Sequence, residues 1–178
     1  MTRTLSLISV SEDSTRGIGR ALGSNIMPGL TVLLYGDLGA GKTVLVRGIG
    51  DALGVGDRVR SPSFTLVNEY AADKLVLAHA DLYRLEAPSD VDALGLEEYM
   101  VSPDTALLVE WPERWASPPE NNVLKIEIRA LDERQRALTF SPVGEDAKTL
   151  TNALEKAVKS GECPGVEITR EHEENFSE

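Results

Sequence analysis

Gly36-Asp37-Leu38-Gly39-Ala40-Gly41-Lys42-Thr43 reads as G-x-x-x-x-G-K-T, and the chemistry of the chain turns on it. Nucleotide phosphates need backbone N–H groups that converge on them, an ammonium that reaches the β/γ oxygens, and a hydroxyl to hold Mg²⁺. Gly36, Gly39 and Gly41 let the backbone turn that tightly, Lys42 brings the charge and Thr43 the hydroxyl. Upstream, Thr31-Val32-Leu33-Leu34-Tyr35 is an apolar, β-branched run. Downstream, Leu45, Ile49 and Leu53 recur at helical spacing. Strand, loop, helix is the setting a phosphate loop requires.

Outward from the loop, Leu5 to Ile8 alternates like a short strand. Ser11-Glu12-Asp13 reads as an N-cap with acids at a helix's positive end, opening a helix that runs to about Asn25. The helix after the loop is expected to end at Gly54, a left-handed C-cap. Phe64 to Tyr70 and Lys74 to Tyr83 read as an antiparallel hairpin around Ala71-Ala72-Asp73. Pro88-Ser89-Asp90 starts a short helix. Thr105 to Val109 is a continuous apolar run, as in a strand buried on both faces. Val123 to Ile128 and Arg136 to Phe140 alternate and are expected to pair. The pattern predicts an α/β fold: a P-loop NTPase-like sheet, mostly parallel with an antiparallel hairpin, with helices on both faces.

The chain of 178 residues fits one domain plus a tail. Residues 1–142 are expected to form the P-loop domain and 143–178 an acidic C-terminal extension. In that extension Leu150, Leu154 and Val158 share one helix face, and the polar stretch beyond Ser160 reads as disordered. Residues 141–178 carry nine acids against four bases, a large part of the net charge of −11. Such a chain repels phosphate backbones, which argues against autonomous nucleic-acid binding. Cys163 is the only cysteine, so an intrachain disulfide is excluded, and with only His79 and His172 a zinc site is nearly so. No apolar run approaches the ~20 residues of a membrane span, and no secretory segment follows Met1. A cytoplasmic protein is expected.

Three further segments bear on the loop. In His79-Ala80-Asp81-Leu82-Tyr83-Arg84, strand alternation puts His79, Asp81 and Tyr83 on one face. Three polar side chains in file at a strand end suggest a site, although His79 and Asp81 bonded to each other as structural filler would also explain them. Glu110, directly after the buried run, occupies a Walker B position, where Mg²⁺ finds an oxygen ligand. Trp111 beside it reads as core or as a stack near the nucleotide. Ser61-Pro62-Ser63-Phe64-Thr65 fits a switch or a plain turn.

Taken together, Gly36–Thr43, Ser61–Val67, His79–Leu85 and Val109-Glu110-Trp111-Pro112 resemble the TsaE (YjeE) family of bacterial ATPases needed for threonylcarbamoyladenosine in tRNA. The similarity spans about residues 5 to 140. It implies an ATP site with Mg²⁺ on Thr43 and Glu110, Asp81 acting on water or metal, and catalytic roles for Lys42, Asp81 and Glu110. The nucleotide would contact Gly36, Asp37, Leu38, Gly39, Ala40, Gly41, Lys42, Thr43 and Trp111. The resemblance adds Val10 and Glu12 from the N-terminal segment, and Arg134 or Arg136 from near the second C-terminal strand. The implied partners are TsaD-like and TsaB-like proteins, with tRNA reached only through that complex. ATP hydrolysis would reset the assembly.

Two other classes share the loop: a small-molecule kinase and a nucleotide-dependent interaction module. A kinase needs an Arg-rich lid over the phosphates, and Arg114 alone is a poor one. A GTPase lacks support, since no N-K-x-D segment is present. The sequence shows no clear arginine finger: Arg84 could substitute within the chain, but strand alternation turns it to the face opposite Asp81, toward structure or a partner.

Overall fold

The computed structural model describes residues 4–169. Its elements, in chain order, are β1 (Leu5–Ser9), α1 (Glu12–Gly23), β2 (Thr31–Tyr35), α2 (Lys42–Ala52), β3 (Val67–Ala71), β4 (Val76–Asp81), α3 (Pro88–Asp92), α4 (Leu96–Val101), β5 (Thr105–Glu110), β6 (Val123–Ala130), β7 (Arg136–Val143), α5 (Glu145–Lys159) and β8 (Val166–Thr169). All eight strands join one mixed sheet in the order β3-β4-β5-β2-β6-β7-β1-β8. The ladders β4–β5, β5–β2 and β2–β6 are parallel. The expected hairpin β3–β4 is antiparallel, and so are β6–β7, β7–β1 and β1–β8, so the antiparallel part extends well beyond that hairpin.

Strand alternation divides the interior. Along β5, Ala106 and Leu108 face one cluster with Val32 and Leu34 of β2, while Leu107 and Val109 face the other with Leu33. The first cluster lies under α1, α2 and α5, and the second under α3 and α4. β5 is buried at every position: the apolar run Ala106–Val109 requires this of its middle, and the polar ends Thr105 and Glu110 are buried with it. β6 instead exposes Lys125 and Glu127 between buried Leu124, Ile126 and Ile128. A sheet with one wet face in its antiparallel half explains that alternation.

Glycine decides how closely α1 and α2 approach. A Cβ on Gly48 would collide with the carbonyl oxygen of Arg16, and one on Gly19 with that of Leu45. The two helices are further clamped by Arg16, whose Nε and Nη2 donate to the two carboxylate oxygens of Asp51 at 2.6 and 2.7 Å.

The C-terminal extension requires a correction. A helix was expected there and α5 forms, but Ala147, Leu150 and Leu154 belong to the main core, and α5 packs on α1, β6 and β7. Beyond Ser160 the chain is ordered through Thr169: β8 pairs with β1, the backbone N–H of Val10 donates to Gly165 O at 3.0 Å, and Cys163 is buried. Burial pushes the Cys163 thiol up from its ordinary range. The alternating Val166 and Ile168 supply an apolar face too short to stand out against the surrounding acids. Residues 170–178, also expected to be disordered, lie outside the described residues. Among those described, no helix is long and apolar enough to cross a membrane.

Candidate functional site

The parallel registers set Leu34 of β2 opposite Glu110 of β5, and Glu110 opposite Asp81 of β4. The carboxyl ends of three adjacent strands therefore meet at one level, where α/β sheets place their ligands. From the end of β2 the chain turns through Gly36 at φ +144°, and a Cβ there would strike the carbonyl of Ile128. The loop then enters α2 through Gly41, also left-handed. Its first helical turn carries Lys42 and Thr43, with the helix's unpaired N–H groups and positive end directed at the loop.

Glu110 is the hub of the buried polar groups. Its Oε1 accepts from Thr43 Oγ1 at 2.9 Å and lies 2.8 Å from His79 Nε2. His79 is wholly buried, so it bonds across to β5 and does not pair with Asp81 along its own strand. Asp81 is also buried. Its Oδ2 accepts from Ser61 Oγ at 2.9 Å and Ser63 Oγ at 3.0 Å, and its Oδ1 from the Tyr83 backbone N–H at 3.0 Å.

Lys42 donates to the carbonyls of Gly36 and Asp37, and its Nζ lies 4.1 Å from the centroid of the Trp111 ring. Burial draws the ammonium below the ordinary lysine range, opposed by the charges of Glu110, Glu113, Asp81 and Asp37. Trp111 holds a left-handed backbone at φ +60° and packs against Tyr83 with ring centroids 4.9 Å apart.

These residues line one cleft of about 220 Å³, made by Leu38 to Val44 on one side and Ser61, Ser63, Asp81, Tyr83, Glu110 and Trp111 on the other. A second hollow of about 110 Å³ flanks the loop's opposite side, lined by Glu12, Thr15, Gly39, Gly41, Val44, Glu133, Arg134 and Arg136. Both candidate arginines therefore reach the loop's flank. Arg136 Nε donates to Ala40 O at 2.9 Å, while the Arg134 backbone N–H bonds Asp132. Val10 lines neither hollow and packs near Gly165. Arg84 lies 4.3 Å over the exposed ring of Phe64 and also lines neither.

Mg²⁺ suits this donor set. The Thr43 hydroxyl and the carboxylates of Glu110 and Asp81 are hard oxygen ligands, and Mg²⁺ is held by one or two such groups with phosphate and water completing its shell. Among the described residues no group of three or more His, Cys, Asp or Glu forms a closed protein cage. The sequence put His79 in file with Asp81 and read Ser61–Thr65 as a switch or a turn, but it gave no role to His79 or to the serines that hold Asp81. Strand alternation signalled His79, but its partner lies on a neighbouring strand that only the register identifies.

The model of the family described as Threonylcarbamoyl adenosine biosynthesis protein TsaE matches residues 9–138. A relative from Nostoc sp., named tRNA threonylcarbamoyladenosine biosynthesis protein TsaE, is 39% identical over 134 residues, covering 74% of this chain and 82% of its own. The protein of the same name from Bacillus subtilis is 34% identical over 148 residues, 83% and 92% of the two chains. The crystal structure of Bacillus subtilis YdiB superposes with a TM-score of 0.70 at 30% identity, covering 89% of this chain and 98% of that one. Motif, topology and likeness along most of the length agree: the chain belongs to the TsaE family.

Proposed function

We propose that this chain binds ATP with Mg²⁺ in the cleft and hydrolyses it in support of threonylcarbamoyladenosine formation at the tRNA adenosine beside the anticodon. The observation that carries the nucleotide part is the Thr43–Glu110 hydrogen bond at 2.9 Å, which ties the phosphate loop to the acid ending β5. The relatives' names carry the pathway.

Lys42 would grip the β/γ oxygens while backbone N–H groups of Gly39 to Thr43 surround them. Thr43 and Glu110 would hold the Mg²⁺, which supplies neutralisation of phosphate charge. Asp81, held by three donors, would orient the attacking water. Glu12 and Arg134 or Arg136 flank the loop where the rest of the nucleotide would extend. Among the described residues no arginine lines the main cleft. A group that stabilises the transferring phosphoryl would then come from a partner, and such a group is worth about 10³–10⁵ in rate. TsaD-like and TsaB-like proteins in the cytoplasm are the proposed partners, and they would also carry the contact with tRNA.

Two measurements test this. Steady-state phosphate release should be slow for the chain alone and accelerate with the partner pair. Depleting the protein in its source cell should lower threonylcarbamoyladenosine in tRNA, measured by nucleoside mass spectrometry, and the Lys42→Ala variant should not restore it. Ordinary turnover unaffected by partners, with modification intact on depletion, would overturn the reading.

A further inference from the structure

The wholly buried His79 has no place in the roles above, yet it touches the acid at their centre. Its Nε2 lies 2.8 Å from Glu110 Oε1, the same oxygen that accepts from Thr43. Its Nδ1 is buried without a hydrogen-bond partner. A ring sealed in this way carries its hydrogen where an acceptor is available, so Nε2 donates and Oε1 receives two donors from opposite elements. Glu110 Oε2 has no such partner among the described residues and belongs to a side chain lining the cleft. Thr43, having given its one hydrogen to Oε1, has its lone pairs free for a cation.

We propose that His79 is a positioning residue: it pins Oε1 of Glu110, so that Oε2 and the Thr43 lone pairs are presented together to the Mg²⁺ of the bound nucleotide. Thr43 alone cannot do this. One hydrogen bond leaves a carboxylate free to pivot about its Cγ–Cδ bond, whereas two donors on one oxygen from different elements fix its plane. Outer hydrogen bonds of this kind typically change metal affinity by about 10–100-fold. The proposal rests on the reading of Glu110 as the metal-side carboxylate.

The test is the gain in ATP affinity that Mg²⁺ confers, read by titration calorimetry on the full chain with Mg²⁺ and with EDTA. His79→Leu should cut that gain by about tenfold and leave the metal-free affinity within about twofold. His79→Gln should restore it, because its amide N–H reaches about as far as Nε2. A folded His79→Leu with the full Mg²⁺ gain, or a His79→Gln as defective as His79→Leu, overturns the proposal. Glu110→Gln in the same titration separates the two ideas. Loss there without loss in His79→Leu sinks the positioning role alone, and no loss in either sinks the metal reading beneath it. If His79→Leu does not fold, the imidazole ¹⁵N pattern of the unaltered protein decides. Only one other histidine, His172, is present, so assignment is direct. Hydrogen on Nε2 supports the proposal, and hydrogen on Nδ1 alone overturns it.

Discussion

The Lys42 ammonium rests 4.1 Å from the centroid of the Trp111 ring, between that ring and the carbonyls of Gly36 and Asp37. The charge that phosphates would meet is thus aimed in advance by an aromatic face and two backbone oxygens, at little cost in side-chain freedom. Lys42→Ala is expected to remove measurable ATP binding by calorimetry while the protein stays folded by circular dichroism. Trp111→Ala should weaken binding by about thirtyfold at most, since an ammonium over a ring contributes about 2 kcal/mol when desolvated and Lys42 is buried. Wild-type affinity in a folded Lys42→Ala would contradict the phosphate-loop assignment.

Asp81→Asn should separate binding from turnover. Its carboxylate is engaged by Ser61, Ser63 and the Tyr83 N–H, not by Lys42 or Thr43, so the phosphate grip does not depend on it. ATP affinity is expected within about threefold of wild type, with partner-stimulated phosphate release down by at least about 10²-fold, the range of a lost acid–base group. Equal loss of binding and turnover would make Asp81 a direct metal ligand instead.

Asp51 should set part of the acid stability. The Arg16 fork beside it holds its carboxyl below the usual range. A lowered folded-state pKa means stability that is full above the ordinary carboxylate value and lost as pH falls through the folded one. Arg16 is 37% exposed, which limits the contribution to about 1 kcal/mol after solvent screening. Urea unfolding of Asp51→Asn against wild type should show that gap at neutral pH and its disappearance on acidification. A gap that persists in acid would assign it to packing.

Leu154→Ala tests the place of the C-terminal helix. Leu154 is fully buried in the cluster shared by α1, α2 and the central strands, so the variant should lose about 2–5 kcal/mol in a single cooperative transition. A loss confined to a separate early transition would restore an independent extension.

What the sequence made legible followed from local chemistry. Gly36 to Thr43 announced the loop because glycines, lysine and threonine at fixed spacing have few other uses. Thr105 to Val109 announced a doubly covered strand because four consecutive apolar residues, Ala106 to Val109, leave neither face polar. Leu150 and Leu154 revealed a helix but not its destination, since an amphipathic face states that it must be covered and not by what. Val166 and Ile168 were lost because two apolar residues in an acidic stretch fall below any periodicity signal, and their pairing with β1 is settled some 160 residues away in sequence. His79 and Glu110, 31 residues apart, meet only because β4 and β5 run parallel side by side.

The position of β2 has a kinetic consequence. It contributes residues 31–35 to the sheet centre, but both of its neighbours come from beyond residue 104. Parallel pairings that close loops of this size are slow, because the entropy of closure is spent before the contacts reward it. The phosphate loop is therefore expected to acquire its shape late, when the middle of the sheet is complete. Nucleotide would then recognise the finished fold alone and act as a thermodynamic lock on it: at a hundred times its dissociation constant it adds about 2.7 kcal/mol. The melting temperature should climb with ATP concentration, while the refolding rate, measured after dilution from urea, stays insensitive to it.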